Sequence, residues 1–418
     1  PLSDEFGAWR VVAAGHAWQA DLSPLRGGTI EADLALRDFT VNAIAEPLAG
    51  GEPIDPLGGI ADLRARRLRM AGASAFADDP LRVLRMVRLA VELDLQPDAQ
   101  ALRGAAELAP ALRRVSAERV FFELRRIVAS RRVRSGLQMM DELGVTAVVL
   151  PELEALRGVR QSRYHHLDVH GHTLEVLARA VELTDADGHG LARLGEGFAA
   201  LQPALGEQLA QPLADELTRA QALRWGALLH DAAKPLTRAV RPQDGRVTFI
   251  GHDQRGAELT RAALGRLRAS ERLRGHVAAL VRNHLRLGFL VHEPQPLPRR
   301  RVFEYLHACS PVALDVTVLS IADRLATRGE RSREAIAAHL ALAERMLADA
   351  LAWQAQGPPS PLLRGDELAR ELQIPAGPRI GELLEELAAA RYAGEIATRG
   401  QALEHARAWL AGPGGGGA

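Results

Sequence analysis

Two patterns of apolar and polar positions divide the chain. Up to about residue 70, short apolar runs such as RVVAAG (10–15) and AWQADL (17–22) alternate with turn-rich stretches including LRGG and IDPLGG. That alternation predicts strands and turns at the edge of an α/β domain. From about Asp78 onward, apolar residues recur every three or four positions in DDPLRVLRMVRLAVEL, SAERVFFELRRIVAS and RVRSGLQMMDEL, which predicts amphipathic helices. Pro151 in VLPELEALRG interrupts the pattern. A second helical region opens in YHHLDVHGHTLEVL and runs to about residue 335, and WQAQGPPSP separates it from a C-terminal helical unit. The fold class expected is mainly α with a partial α/β head.

Composition narrows this picture. The 418 residues suffice for several domains, and 47% hydrophobic, 25% charged and 4% aromatic residues fit a helical globular protein. The formal net charge of zero excludes a global basic field, so a nucleic acid would have to meet a local arginine patch. Cys309 is the one cysteine, a core residue by expectation, which excludes an internal disulfide and suits a reducing compartment. With no run of about 18 apolar residues and no signal-peptide pattern, the expected setting is the cytoplasm, without a membrane partner. The first residue is Pro1, as in a chain that begins inside a longer protein.

Candidate chemistry lies in two places. Asp79 and Arg82, spaced i,i+3 on a predicted helix, project from one face. An aspartate accepts from an exocyclic amino group and an arginine donates to a neighbouring ring nitrogen, a combination that selects cytosine and adenine over uracil and guanine. The second place is a set of histidines and aspartates: His172, the adjacent pair His230-Asp231, His252, His284 and Asp323. Imidazole and carboxylate together suit Mn, Fe, Co, Ni or Zn better than Mg. An open position on such a metal generates hydroxide near neutral pH, as phosphoester hydrolysis requires.

Residues 31–90 resemble the class II tRNA nucleotidyltransferase and poly(A) polymerase family. Arg37-Asp38-Phe39-Thr40-Val41-Asn42-Ala43 matches its RRDFTxNA block, with Leu36 in place of the first arginine. Asp55-Pro56-Leu57-Gly58-Gly59 with Asp62 matches DPxGGxxDL, and Asp78-Asp79-Pro80-Leu81-Arg82 with Arg85 matches the EDxxRxxR templating helix, Asp78 replacing glutamate. The resemblance implies that Arg37, Asp38 and Asn42 recognise sugar and triphosphate, that Asp79, Arg82 and Arg85 read the base, and that Mg2+ supports transfer. Phe39 and Val41 are expected in the core. Asp21, on the polar face of a strand, resembles the third catalytic carboxylate. No Gly-Gly and Asp-x-Asp element precedes residue 31, so the expectation is a chain that starts after the first two catalytic aspartates and transfers nucleotides only once they are restored. The short connection from Asp21 to Asp33 leaves C-addition, A-addition or both open.

His172, His230, Asp231 and Asp323 resemble the H…HD…D pattern of HD-superfamily phosphohydrolases, with His252 and His284 similar to the extra histidines of members that hold more than one metal. That implies a divalent transition metal such as Ni2+ or Mn2+. His165, His166, His170, His189 and His276 are expected to be structural or on the surface. Lys234, the only lysine, falls in an HDxxK element where HDxGK is usual, with Ala233 at the glycine position. Its ammonium is expected to reach a substrate phosphate oxygen or to pair with a ligand carboxylate, where the broader guanidinium of arginine fits poorly. Gly365-Asp366-Glu367-Leu368 and Pro375-Ala376-Gly377-Pro378 resemble the family's tail segment.

The organisation expected is a partial nucleotidyltransferase head (1–70), a neck and body for templating and RNA (71–160), a helical HD domain (161–335) and a helical tail (336–418). The implied partners are tRNA, CTP and ATP, with Arg113, Arg114, Arg119, Arg125 and Arg126 as candidate phosphate contacts. Three other readings stay open: a phosphohydrolase acting alone on phosphomonoesters or 2′,3′-cyclic phosphates, a poly(A) polymerase, and a non-enzymatic RNA-binding remnant with structural metal ligands.

Overall fold

The computed structural model describes residues 7–16, 18–161, 166–185, 190–328, 332–375 and 377–412. The chain divides into two compact units, Pro1–Pro151 and Glu152–Ala418, and helices dominate both.

In the first unit β1 (Trp9–Val12) and β2 (Gln19–Leu22) form an antiparallel hairpin that sets Arg10 opposite Asp21, in line with the alternating pattern. A short helix, α1 (Ile30–Ala35), follows, its first turn capped by the Thr29 hydroxyl. The DPLGG turn then launches α2 (Gly59–Arg64). Gly58 takes the left-handed conformation at φ 74°, and the Asp55 carboxylate accepts from the amides of Gly59 (2.6 Å) and Ile60 (2.9 Å). A Cβ on Gly59 would lie 2.1 Å from the Thr40 carbonyl oxygen, so glycine is what lets the two sequence blocks touch. The fully buried Asp62 completes the brace, accepting from Thr40 Oγ1 (2.7 Å), Arg67 Nε (2.7 Å) and Arg69 Nε (2.9 Å).

The helices of this unit include three amphipathic ones that pack on one another: α3 (Leu81–Leu93), α4 (Ala117–Ala129) and α5 (Val133–Glu142). They pack together through Leu84, Val87, Leu124, Ile127, Leu137 and Met140, all removed from solvent. One expectation fails here. Asp79 is not on a helix with Arg82: its backbone is extended (φ −149°, ψ 100°), and α3 begins only after Pro80, which needs no amide partner at a helix start.

The second unit contains α6 (Val169–Leu183), α7 (Glu196–Ala210), α8 (Arg219–Leu229), α9 (His252–Arg266), α10 (Glu271–Asn283), α11 (Arg299–Ala308), α12 (Ala313–Ala326) and α13 (Ser332–Gln356). α8 is buried on all sides, with Trp225 wholly enclosed, and packs against α6, α10 and α12. α13 packs along α12, where His339 Nε2 lies 3.1 Å from Ser320 Oγ. A boundary at 335/336 therefore falls inside a continuous helix; the break comes at GPPSP, after Gln356.

The tail adds α14 (Gly365–Leu372), α15 (Pro378–Ala393) and α16 (Arg399–Ala411) around its own core of Leu363, Leu368, Leu383, Leu387 and Ile396. Within the GDEL segment, Glu367 turns back to accept from the Arg364 amide at 2.8 Å, a helix-start contact. Ala376 of the Pro375–Pro378 turn lies outside the described residues. Arg300 on α11 donates to Glu386 (2.8 Å) and Glu395 (2.7 Å) of the tail. Its neighbours Arg299 and Arg301 pair with Asp349 and Glu293, so this basic run is spent on internal contacts. Cys309 is buried, and burial pushes its thiol up to about 12. Among the described residues no single helix is long and apolar enough to cross a membrane.

Candidate functional site

The RDFTVNA block and α3 meet at one carboxylate. Asp38 is buried; one oxygen accepts from the Phe39 amide (2.8 Å) and Asn42 Nδ2 (3.0 Å), the other from Arg85 Nη1 (2.9 Å). Burial opposes its charge, yet the Arg85 and Asn42 hydrogen bonds hold it below the usual carboxylate range. Arg85 also donates to Glu123 of α4 (3.2 Å), and Glu123 accepts from Arg88 (2.5 Å). Arg88 continues to Glu92, which takes both donors of Arg126 at 2.8 Å. A chain of alternating charge thus joins three sequence segments. Glu123, its buried centre, was missed at sequence level, although its place between arginines on one face of SAERVFFELRR is a readable signal.

Around this chain the other predicted residues separate. Arg37 donates twice to the buried Asp33 (3.0 and 2.7 Å). Phe39 and Val41 are buried, as expected of core residues. Asp79 accepts from the Leu81 amide (3.2 Å) and from Arg119 Nη2 (2.6 Å), while Arg82 donates to the carbonyls of Leu36 (3.1 Å) and Ala75 (3.2 Å). Arg113 and Arg114 are exposed. Arg125 is not available as a surface phosphate contact: it is 8% exposed, and its guanidinium lies 4.9 Å from the Phe122 ring centre. Its position four residues after the buried Phe121 puts it on the inward stripe of α4.

Asp21 is exposed and tied to Arg10 by two hydrogen bonds of 2.6 and 2.7 Å, which hold it below the usual range. Among the described residues it belongs to no group of three potential metal ligands, and Arg10 takes up both of its oxygens.

The second unit assembles the other set completely. His172 comes from α6, His230 and Asp231 from the end of α8, His252 from the first turn of α9, His284 from the end of α10, and Asp323 from α12. Three of these imidazoles are oriented alike: Nδ1 of His230, His252 and His284 faces the carbonyl of Ala227 (2.8 Å), Phe249 (2.7 Å) and Val281 (2.6 Å). With Nδ1 carrying the proton toward the backbone, Nε2 is left as a lone-pair donor pointing inward. His172 Nε2 lies 3.0 Å from Asp323 Oδ1; His230 Nε2 lies 3.1 Å from Asp231 Oδ2, and His252 Nε2 lies 3.3 Å from Asp231 Oδ1 and from His284 Nε2.

The ligand atoms form two groups, His172-His230-Asp323 and Asp231-His252-His284, each within 4.8 Å. Buried nitrogen donors converging on carboxylates, with His230 Nε2 lacking a hydrogen-bond partner, fit a divalent transition metal. Burial works against charge throughout. Despite it, Asp231 is held well below the carboxylate range by His230 and Lys234, whereas burial and the neighbouring imidazoles push His284 down to about 4.

Lys234 is buried beside Asp231, its Nζ 2.7 Å from Oδ2 and 2.6 Å from Gln161 Oε1, with the Phe249 ring centre at 5.4 Å. The contact with a ligand carboxylate matches one arm of the sequence expectation. Gln161 was not foreseen. His166 is exposed, His170 and His276 stand outside both groups, and His165 and His189 lie outside the described residues.

Fold and site together define a nucleotidyltransferase-type head and helical body followed by a helical domain with a His/Asp metal-ligand cluster. The family model of the poly A polymerase head domain matches residues 9–69, that of the probable RNA and SrmB-binding site of polymerase A matches 94–156, and that of the HD domain matches 169–328. The A-adding tRNA nucleotidyltransferase of Deinococcus radiodurans is 37% identical over 98% of this chain and 85% of that protein. The CC-adding tRNA nucleotidyltransferase of Thermus thermophilus is 33% identical over 98% and 83%. The Thermotoga maritima CCA-adding enzyme, solved in complex with tRNA, shares the fold at a TM-score of 0.57 and 19% identity, over 98% of this chain and 80% of that one. The chain belongs to the tRNA nucleotidyltransferase family.

Proposed function

We propose that this chain, working with the two further catalytic aspartates of an Asp-x-Asp element, adds cytidine and/or adenosine residues to the 3′ end of tRNA from CTP and ATP, and that its second unit is a metal-dependent phosphohydrolase. The observation that carries the first part is the pair of the buried Asp38 with the half-buried Arg85, which fastens the RDFTVNA block to the segment proposed to read the base and so supports one nucleotide site built of two motifs. Arg37 and Asn42 border the sugar and triphosphate, and Asp79 and Arg82 present an acceptor and a donor to the base edge. Exposed arginines, Arg113 and Arg114 first among them, take the RNA phosphates and fix register without reading sequence. The division of labour follows the blocks: head to about 70, neck and body to about 160, HD domain beyond it, and a tail whose separate core begins after Gln356.

The test is incubation of the chain, by itself and with a preceding strand that supplies the two further catalytic aspartates, with tRNA lacking its 3′ end and CTP or ATP supplied separately. CC-, A- or CCA-addition identifies the specificity; long adenosine tracts on any RNA would identify a poly(A) polymerase instead.

The second activity has its own observation, the two convergent His/Asp groups of the HD domain. His172, His230, Asp231, His252, His284 and Asp323 would hold a metal such as Ni2+ or Mn2+, whose chemistry when bound is to lower the pKa of a coordinated water. The chain's own residues orient the imidazoles through backbone carbonyls and hold the Lys234 ammonium beside Asp231. A phosphoester panel, including phosphomonoesters and 2′,3′-cyclic phosphates, assayed across divalent metals tests this reading. Metal bound without any turnover would support a structural role instead.

A further inference from the structure

Gln161 lies ahead of the HD family match, which begins at residue 169. Its side chain nonetheless reaches Lys234, with Oε1 2.6 Å from Nζ. The orientation of that amide is fixed by chemistry: an ammonium has only donors, so the oxygen must face it and the NH2 group must face away. That nitrogen is buried and has no hydrogen-bond partner. Lys234 is incompletely used as well. It has three N–H donors; one goes to Gln161 Oε1, while Asp231 Oδ2, 2.7 Å away, forms an ion pair without hydrogen-bond geometry.

The structure therefore carries two donor groups joined through Gln161 Oε1: the Lys234 ammonium beside Asp231 of the candidate metal cluster, and the unpartnered amide N–H of Gln161. Buried donors call for an acceptor. Two adjacent donors, one of them cationic, match two oxygens of one tetrahedral phosphoryl group better than a single carbonyl.

We propose that Gln161 is a substrate-binding residue of the HD domain, its amide nitrogen clamping a phosphoryl oxygen of a phosphomonoester together with Lys234. This rests on the phosphohydrolase reading above. Gln161 also positions Lys234: its oxygen holds the ammonium at 2.6 Å, beside Asp231, and the remaining N–H donors of Nζ can turn toward the substrate.

The test compares the full chain with Gln161→Glu and Gln161→Leu, each loaded with Mn2+. Gln161→Glu keeps the acceptor for Lys234 and replaces the amide donor with an anion; Gln161→Leu removes both functions at similar volume. Inorganic phosphate binding, read by calorimetry, is expected to weaken roughly tenfold or more in both variants, as loss of a hydrogen bond to a charged group requires. Metal content and thermal unfolding are expected to match the parent chain. In hydrolysis, KM rises in Gln161→Glu by the same factor while kcat changes by less than about threefold. Equal phosphate affinity in parent and Gln161→Glu overturns the proposal, as does a parent that binds no phosphate with metal bound. A parent that hydrolyses phosphoesters while Gln161→Glu does so equally well overturns the clamp and leaves the phosphohydrolase intact; a parent that binds metal and never turns over defeats the underlying reading.

Discussion

Arg119 donates to Asp79 at 2.6 Å and so occupies the carboxylate that the proposed templating role would offer to a nucleobase amino group. In that role the base would have to displace a guanidinium. The pair is partly exposed, with side chains at 51% and 24%, so solvent keeps its strength to about 1 kcal/mol or less. Such a contact is weak enough to yield to a nucleotide. Arg119→Ala is expected to lower KM for CTP or ATP about two- to fivefold, within that energy.

Nucleotide choice is a separate prediction. Asp79→Ala and Arg82→Ala are expected to raise UTP and GTP incorporation relative to CTP and ATP by roughly tenfold, the value of one discriminating hydrogen bond. The measurement is kcat/KM for each of the four triphosphates on tRNA lacking its 3′ end. Unchanged selectivity in both variants would remove the base-reading role from this pair.

The arginines of α4 and the segment before it divide by burial. Arg113→Ala and Arg114→Ala should each weaken tRNA binding and reduce the slope of log affinity against log salt by about one. Arg125→Ala should leave that slope unchanged and lower the unfolding temperature, because its stem and guanidinium are packed against Phe122. Filter binding over a salt series, paired with thermal unfolding, separates the two outcomes.

Metal stoichiometry tests the two-group arrangement. His230→Ala or Asp231→Ala is expected to abolish phosphohydrolase activity. The double change His252→Ala/His284→Ala should reduce bound metal by about half while His172, His230 and Asp323 retain their share, consistent with the two groups. Elemental analysis after dialysis reads the result. Lys234→Arg, forced into a space bounded by Asp231, Gln161 and Phe249, is expected to cost about tenfold or more in kcat/KM.

Acid sensitivity follows from Asp38. Its folded pKa is depressed, so the stability it contributes is fully present above the unfolded value of 3.8 and is lost as pH falls below it. Thermal unfolding of the parent should therefore drop steeply in that acid range, and Asp38→Asn should drop less steeply there. At neutral pH the variant should be less stable by about 2–3 kcal/mol, having lost a buried charge-assisted bond to Arg85.

Much of this was legible in the chain. The helices α3, α4 and α5 follow apolar periodicity, and the metal cluster could be named from spaced His and Asp residues because each sits at a helix end or on an inward helix face. What escaped were pairings across sequence distance: Arg85 with Glu123, Asp79 with Arg119, Lys234 with Gln161. Periodicity says which face of a helix turns inward, not which charge meets it there. Asp79 was misplaced for a local reason, since Pro80 favours a helix start and ejects the residue before it. Arg125 was misassigned because its charge outweighed its position on the apolar stripe.

The unbroken α13 bears on how the second unit can be cut. A fragment ending at residue 328, where the HD match stops, would strip His339 from Ser320 and leave the surface of α12 beneath Leu342, Ala343 and Met346 uncovered. A cut at the GPPSP linker spares that helix but costs Arg300 its partners Glu386 and Glu395. A piece running from Glu152 to the end of the tail keeps both sets of contacts and gives the candidate metal cluster a chance to be studied away from tRNA.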